Sequence, residues 1–206
     1  MNKIIHGDCL TYLRSLPDKA VPLLLTDPPY GLGIATRGSI GRRPHRRRRT
    51  PKAWDVAPPS RVYFEEMLRV SEHQIIWGGN YFTPFLPASR CWLVWYKKDG
   101  LPRNSFADCE LAWTSFQKNA LVFNSRWSGF VKDSREPRVA HPTQKALAVM
   151  KWCVEEFSNE GDVILDPFLG SGTTAVAAKQ LRRNFIGVEI DREYVAIARE
   201  RLKQAA

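Results

Sequence analysis

Asp27-Pro28-Pro29-Tyr30 follows directly on the apolar run Val21 to Leu25 and so sets a carboxylate, rigid carbonyls and an aromatic ring at the end of a short strand. Neither proline can donate a ladder hydrogen bond and both have φ fixed, so pairing stops there and the turn is stiff. Such a turn can hold the Asp27 carboxylate and the Pro28 carbonyl as two acceptors facing one NH2 group, while Tyr30 stacks on the ring that carries it. An exposed adenine or cytosine answers that description. An ordinary Asp-Pro-Pro turn with Tyr30 as a core aromatic is the alternative.

A second constellation lies near the other end of the chain. Asp166-Pro167-Phe168-Leu169-Gly170-Ser171-Gly172-Thr173-Thr174 closes an apolar strand and opens a helix at once. Gly170 and Gly172 permit a tight turn where backbone amides approach a ligand, but the full Gly-x-Gly-x-x-Gly spacing is absent, which disfavours a pyrophosphate cradle. Glu189, followed by Ile190, ends the next strand 23 positions after Asp166. A carboxylate there accepts hydrogen bonds from both hydroxyls of a ribose, so an adenosine without phosphates fits. Asp8, followed by Cys9, offers a third polar group at a strand end, either to an adenine amino group or as a helix cap. In His141-Pro142-Thr143-Gln144-Lys145, Thr143 and Lys145 are placed to hold an anionic carboxylate at a helix N-terminus, or to act as a cap and an exposed lysine.

The elements that must position these residues alternate. Strands are expected at Lys3 to His6, 20 to 26, Gln74 to Trp77, Cys91 to Tyr96, Leu111 to Phe116, Asp162 to Leu165 and Asn184 to Val188, with Leu111 to Phe116 paired antiparallel at an edge. Helices are expected from Leu10 to Leu16, Tyr63 to Val70, Lys145 to Phe157, 173 to 182 and Arg192 to Leu202. This order predicts an α/β domain with a mostly parallel twisted sheet, helices on both faces and ligands at the carboxyl ends of the strands. With 206 residues, a single core is expected over 1–206.

Charge points to the partner. Of the net +10, the segment 36–52 contributes +8 through Arg37, Arg42, Arg43, Arg46, Arg47, Arg48, Arg49 and Lys52, without one acid. Such a segment cannot build a core but can release counterions from a phosphate backbone, which makes nucleic acid the natural partner and Arg42, Arg43, Arg46, Arg47, Arg48 and Arg49 its candidate contacts. A solvated basic loop or a nuclear address is the alternative. Cys9, Cys91, Cys109 and Cys153 show no metal or disulfide spacing, and no apolar run is long enough to span a membrane, so a reducing cytoplasmic setting is expected.

Taken together, the two motifs and their order resemble the amino-group DNA methyltransferases that use S-adenosylmethionine, in the permuted arrangement called the beta class. Residues 1–34 and 140–202 carry the resemblance, and the middle only loosely. It implies a circularly permuted Rossmann-like methyltransferase fold. By position it implies catalysis by Asp27, Pro28, Pro29 and Tyr30, and a cofactor loop of Asp166, Pro167, Phe168, Gly170, Ser171, Gly172 and Thr173. It further implies Glu189 and Ile190 at the ribose, Asp8 and Cys9 at the adenine, and His141, Thr143 and Lys145 at the methionine end. The chain departs from the pattern at Ala146, where relatives usually carry proline, and in its short middle, which leaves 34–57 and 96–140 as the candidate recognition segments. Adenine N6 is the favoured acceptor, with cytosine N4, RNA or a protein amide as alternatives, the amide weakened by Asp27 in place of Asn. Cytosine C5 is disfavoured because no cysteine follows a proline. Trp54, Trp77, Tyr81 and Phe82 are candidate pocket walls, although most Trp and Phe residues are expected to be core, and the small recognition region suggests a homodimer. A DNA-binding protein with a vestigial cofactor pocket is the rival from another class.

Overall fold

The computed structural model describes residues 2–33, 55–98, 107–127 and 144–205. The basic run, Trp54, His141 and Thr143 lie outside them, as do most of the candidate recognition segments.

Eight strands, β1 (Asn2–His6), β2 (Val21–Thr26), β3 (Ser71–Trp77), β4 (Trp92–Tyr96), β5 (Cys109–Thr114), β6 (Leu121–Asn124), β7 (Val163–Asp166) and β8 (Asn184–Glu189), form one sheet in the order β1-β8-β7-β2-β3-β5-β4-β6. The helices are α1 (Cys9–Arg14), α2 (Arg61–Val70), α3 (Leu147–Phe157), α4 (Thr173–Gln180) and α5 (Arg192–Gln204). The first five strands in spatial order run parallel. The fold is therefore the mostly parallel, helix-covered sheet that the alternation of elements implies.

Side-chain alternation assigns the helices to faces. Leu23, Leu25, Ile75, Trp77 and Ile164 point to the side covered by α3 and α4, where Val149, Met150, Val154 and Ala177 pack. Leu24, Ile76, Leu165 and Ile186 point to the other side, against Leu13 of α1 and Phe64, Met67 and Val70 of α2. A period-2 strand buried on both faces has to be apolar throughout, which is why Val21 to Leu25 shows no polar alternation.

Two features differ from the sequence reading. The strand expected over Leu111 to Phe116 starts at Cys109 and is not at an edge: β5 lies between β3 and β4 and is antiparallel to both. Its side chains Ala112 and Trp113 are buried on both faces, as an interior strand requires. The edge is β6, a short strand parallel to β4 in which Leu121 and Phe123 pack inward and Val122 is exposed. Because β5 runs backwards, its first residues lie at the same end of the sheet as the last residues of β2, β3 and β4.

Among the described residues no helix is long and apolar enough to cross a membrane. Leu24, fully buried on a central strand, tests the packing: Leu24→Ala should lower unfolding stability by about 2–5 kcal/mol, read as a lower urea midpoint at unchanged slope.

Candidate active site at the carboxyl ends of the strands

β7 connects through α4 to β8 on one side, while its neighbour β2 connects through α2 to β3 on the other, over the opposite face. Among the described residues no connection covers the carboxyl ends between them, and a crevice opens at this switch point. A cavity of about 1010 Å³ fills it, and both Asp27 to Tyr30 and Pro167 to Ser171 line its wall, together with Asp8, Cys9, Glu189 and Ile190.

On the β2 side, Asp27 directly follows the last strand residue, Thr26. The Thr26 hydroxyl donates to Asp166 Oδ1 at 2.7 Å, tying the two strand ends together. The Tyr30 hydroxyl donates to Asp27 Oδ1 at 2.6 Å. Tyr30 stacks on Tyr81 with ring centroids 4.9 Å apart and packs over Gly78, which has φ +73°. A Cβ at Gly78 would stand 2.1 Å from the Tyr30 ring, so only glycine both adopts this backbone and leaves room for the ring. The Pro28 carbonyl accepts no hydrogen bond from the described residues.

Asp27 also meets Lys145. The Lys145 ammonium lies 3.1 Å from Asp27 Oδ1, pairs with Glu110 and donates to the Tyr30 hydroxyl at 3.2 Å. Glu110 in turn pairs with Lys97 at 2.8 Å. Burial pushes the Asp27 carboxyl up, opposed by Lys145. Burial also pushes Glu110 up, but Lys145 and Lys97 outweigh it and bring that carboxyl down to about 2. Sequence reasoning put Lys145 at the methionine end of a cofactor; its ammonium is engaged with two carboxylates, because the segment leading into α3 abuts the end of β2 and the start of β5. Ala146, where a proline was expected, has φ −63° and ψ 133°, the backbone that proline would impose.

On the β7 side, Glu189 is held by two backbone amides, Gly170 N–H on Oε2 and Asp191 N–H on Oε1, both at 2.7 Å. Each oxygen keeps lone pairs for a further donor. The loop is fixed from behind by Arg201 of α5, whose guanidinium donates to the Ser171 carbonyl at 2.8 Å and to the Ser171 and Thr173 hydroxyls at 3.1 and 3.0 Å. Gly172, at φ +84°, packs against Ala198 and starts α4; its place is in the support of the loop. Asp8 caps α1, accepting from Thr11 N–H at 2.9 Å, and still lines the cavity, where the Tyr63 hydroxyl reaches its other oxygen at 3.4 Å. Cys9 is a buried thiol, pushed up to about 12 by burial and by Asp8.

Of the aromatic candidates, Tyr81 lines the cavity and Trp77 and Phe82 are fully buried core residues. Sequence reasoning missed Glu110, Lys97, Arg201 and Tyr63. A lone acid among Cys109, Leu111, Ala112 and Trp113 was the available signal for Glu110.

Asp166 gives a pH test of this seam. Burial pushes its carboxyl up to about 6, against which Thr174, Thr26 and the Phe168 N–H all donate to it. The folded chain then binds more protons than the unfolded one between about 4 and about 6, so this group makes stability fall as pH rises through that window. Asp166→Asn should remove that slope, read by urea denaturation from about pH 4 to about pH 7.

Known proteins resemble this chain in sequence and fold. A family model described as DNA methylase, of the N6 and N4 type, matches residues 92–200. The Type II methyltransferase M.HinfI of Haemophilus influenzae is 28% identical over 253 aligned positions, which take in 99% of this chain and 69% of that protein. M.HpaI of Haemophilus parainfluenzae, also a Type II methyltransferase, is 26% identical over 245 positions, 97% of this chain and 74% of that one. Among solved structures, the complex of M1.HpyAVI with S-adenosylmethionine superposes with a TM-score of 0.62 at 26% identity, over 98% of this chain and 100% of the other. The cytosine-N4-specific PvuII DNA methyltransferase shares the fold, with a TM-score of 0.63 at 15% identity over 99% of this chain and 90% of that one. The matched family model spans more than half of the sequence, and the chain belongs to the DNA methylase family of N6-adenine and N4-cytosine amino-methyltransferases.

Proposed function

We propose that this chain methylates the exocyclic amine of a base turned out of duplex DNA, with adenine N6 as the acceptor and Asp27, Pro28 and Tyr30 as the residues that receive it. The observation that carries the reading is the single cavity shared by the Asp27 corner and the Gly170 corner.

The residues of the second corner fit an adenosine. Glu189, pinned by two amides, has spare lone pairs for a ribose diol, and Phe168, Ile190, Asp8 and Tyr63 line the adjoining wall. S-adenosylmethionine bound there supplies a methyl group already activated for transfer.

The rest of the chemistry belongs to the protein. An aromatic amine is a poor nucleophile because its lone pair is delocalised into the ring. Asp27 Oδ1 is taken by Tyr30 and Lys145, whereas no described residue donates to Oδ2. Oδ2 and the Pro28 carbonyl are the two acceptors that can take the two amine protons, favour a pyramidal nitrogen and aim its lone pair. Fixing that geometry beforehand supplies up to about 7–11 kcal/mol of barrier reduction in well-oriented systems. As positive charge grows on nitrogen, the Asp27 carboxylate stabilises it and then takes the released proton. The target amine is inaccessible inside a duplex, so the base has to leave the stack, and Tyr30 and Tyr81 offer aromatic faces to it.

DNA also has to be held. Arg42, Arg43 and Arg46 to Arg49 supply the phosphate-binding charge in this reading, and a homodimer enlarges the small recognition region.

Incubation with DNA of mixed sequence and methyl-labelled S-adenosylmethionine, followed by digestion to nucleosides, should give labelled N6-methyladenine. Label in N4-methylcytosine would change the base but keep the chemistry. Absence of label across varied duplexes would favour the non-catalytic DNA-binding alternative. Asp27→Ala should reduce transfer by at least about 100-fold while binding S-adenosylmethionine as the wild type does, measured by calorimetry.

A further inference from the structure

The Lys145 ammonium has three protons and three acceptors: Asp27 Oδ1, a Glu110 carboxylate oxygen and the Tyr30 hydroxyl. The rings of Trp77, Tyr30 and Trp95 lie 5.2, 5.7 and 6.0 Å from it. Trp77 and Trp95 flank the cation as π partners, while Tyr30 meets it through its hydroxyl. The Lys145 side chain is only 7% exposed. An isolated ammonium could not stay charged in such a place. Charges alternate along the row Asp27, Lys145, Glu110, Lys97 and cancel in pairs.

The two oxygens of Asp27 are treated differently by this row. Oδ1 receives both the Tyr30 hydroxyl and Lys145, so it is saturated and fixed in direction. Oδ2 receives nothing from the described residues, and Asp27 lines the cavity.

We propose that Lys145 is a positioning residue for methyl transfer: by occupying Asp27 Oδ1 it keeps that carboxylate charged and presents Oδ2 to the substrate amine, with Glu110, itself paired to Lys97, sharing the same ammonium. The proposal rests on the reading of Asp27 as the acceptor of the amine. A protonated Asp27 would offer an O–H where an acceptor is needed and would lose the anion that stabilises the growing charge on nitrogen.

The groups that set the charge of Asp27 come from every element packed around it. Lys145, at the start of α3, favours the anion. Glu110 from β5 opposes it, and Asp166 at the end of β7 is a further like charge. Tyr30 donates a hydrogen bond to the anion. Lys97, following β4, acts through Glu110. The Cys153 thiol of α3 faces Lys145, and burial keeps it protonated.

Two substitutions should move Asp27 in opposite directions. Carbon-13 NMR of labelled aspartate carboxyls, in protein without DNA or S-adenosylmethionine, reads its titration midpoint, assigned by the signal lost in Asp27→Asn. Lys145→Met should raise the midpoint by about one pH unit or more. Glu110→Gln, which removes a like charge without changing shape, should lower it. The acid limb of the pH profile of kcat for methyl transfer should follow each shift in sign and size.

A folded Lys145→Met protein with an unmoved Asp27 midpoint would overturn the proposal, as would a fall in kcat with the acid limb left in place. If Lys145→Met does not fold, Glu110→Gln decides alone: a midpoint that rises or stays overturns the proposal. Wild-type protein that transfers no methyl group, yet titrates as described, would overturn the functional reading instead.

Discussion

Leu23 beside Ile164 and Leu24 beside Leu165, paired in parallel register, join the first part of the chain to its last third. This seam is the constraint from which the site follows. On either side of it the crossovers leave in opposite directions, over opposite faces of the sheet, so neither α2 nor α4 closes the space above it. The residues that come next in each strand, Asp27 after β2 and Pro167 after β7, therefore face each other across an open crevice. The Thr26 hydroxyl on Asp166 fastens the seam at its rim. A proline turn on one side and a glycine turn on the other then give the two walls opposite properties: one presents fixed acceptors, the other lets backbone come close to a ligand.

Placing carboxylates at a buried rim raises an electrostatic problem, which the chain solves in two ways. Asp166 is given only neutral donors, two threonine hydroxyls and a backbone N–H, which oppose the effect of burial without cancelling it, so its acidity is weakened. Asp27 and Glu110 are given cations, and the backward course of β5 makes this feasible. Because β5 is antiparallel to β3, Glu110 at its start stands level with the ends of β3 and β4, within reach of Lys97 and of Lys145. An all-parallel sheet would have put that acid at the far end. The same rim thus holds one carboxyl biased toward its neutral form and another kept anionic, the separation of acidities that acid–base chemistry uses.

Much of this was legible in the residues. The proline turn and the glycine turn are local signals, since each follows an apolar strand run and breaks it with residues whose backbone limits are known, and Glu189 is another, a carboxylate ending an apolar strand. The alternation of strands and helices sufficed for the parallel sheet and its ligand-binding edge. What escaped were the consequences of strand order. The interior position of β5, the pairing of Lys145 with Asp27 and Glu110, and the support of Ser171 and Thr173 by Arg201 depend on contacts between residues about 30 to 120 positions apart. No local pattern encodes such contacts. Trp77 and Phe82, open between pocket wall and core in the sequence, are core: an aromatic next to a site signal looks like a pocket wall until the sheet shows which way it points. Ala146 shows the converse, a backbone conformation kept without the residue that usually enforces it.

The central claim is that the two corners form one functional cleft. Titration of S-adenosylmethionine into nitrogen-15-labelled protein, followed by amide NMR, tests it most directly. The account predicts that the amide signals of Phe168, Gly170 and Ile190 and those of Asp27 and Tyr30 move together and saturate with a single dissociation constant. Movement confined to the glycine corner, with Asp27 and Tyr30 unperturbed at saturation, would contradict it.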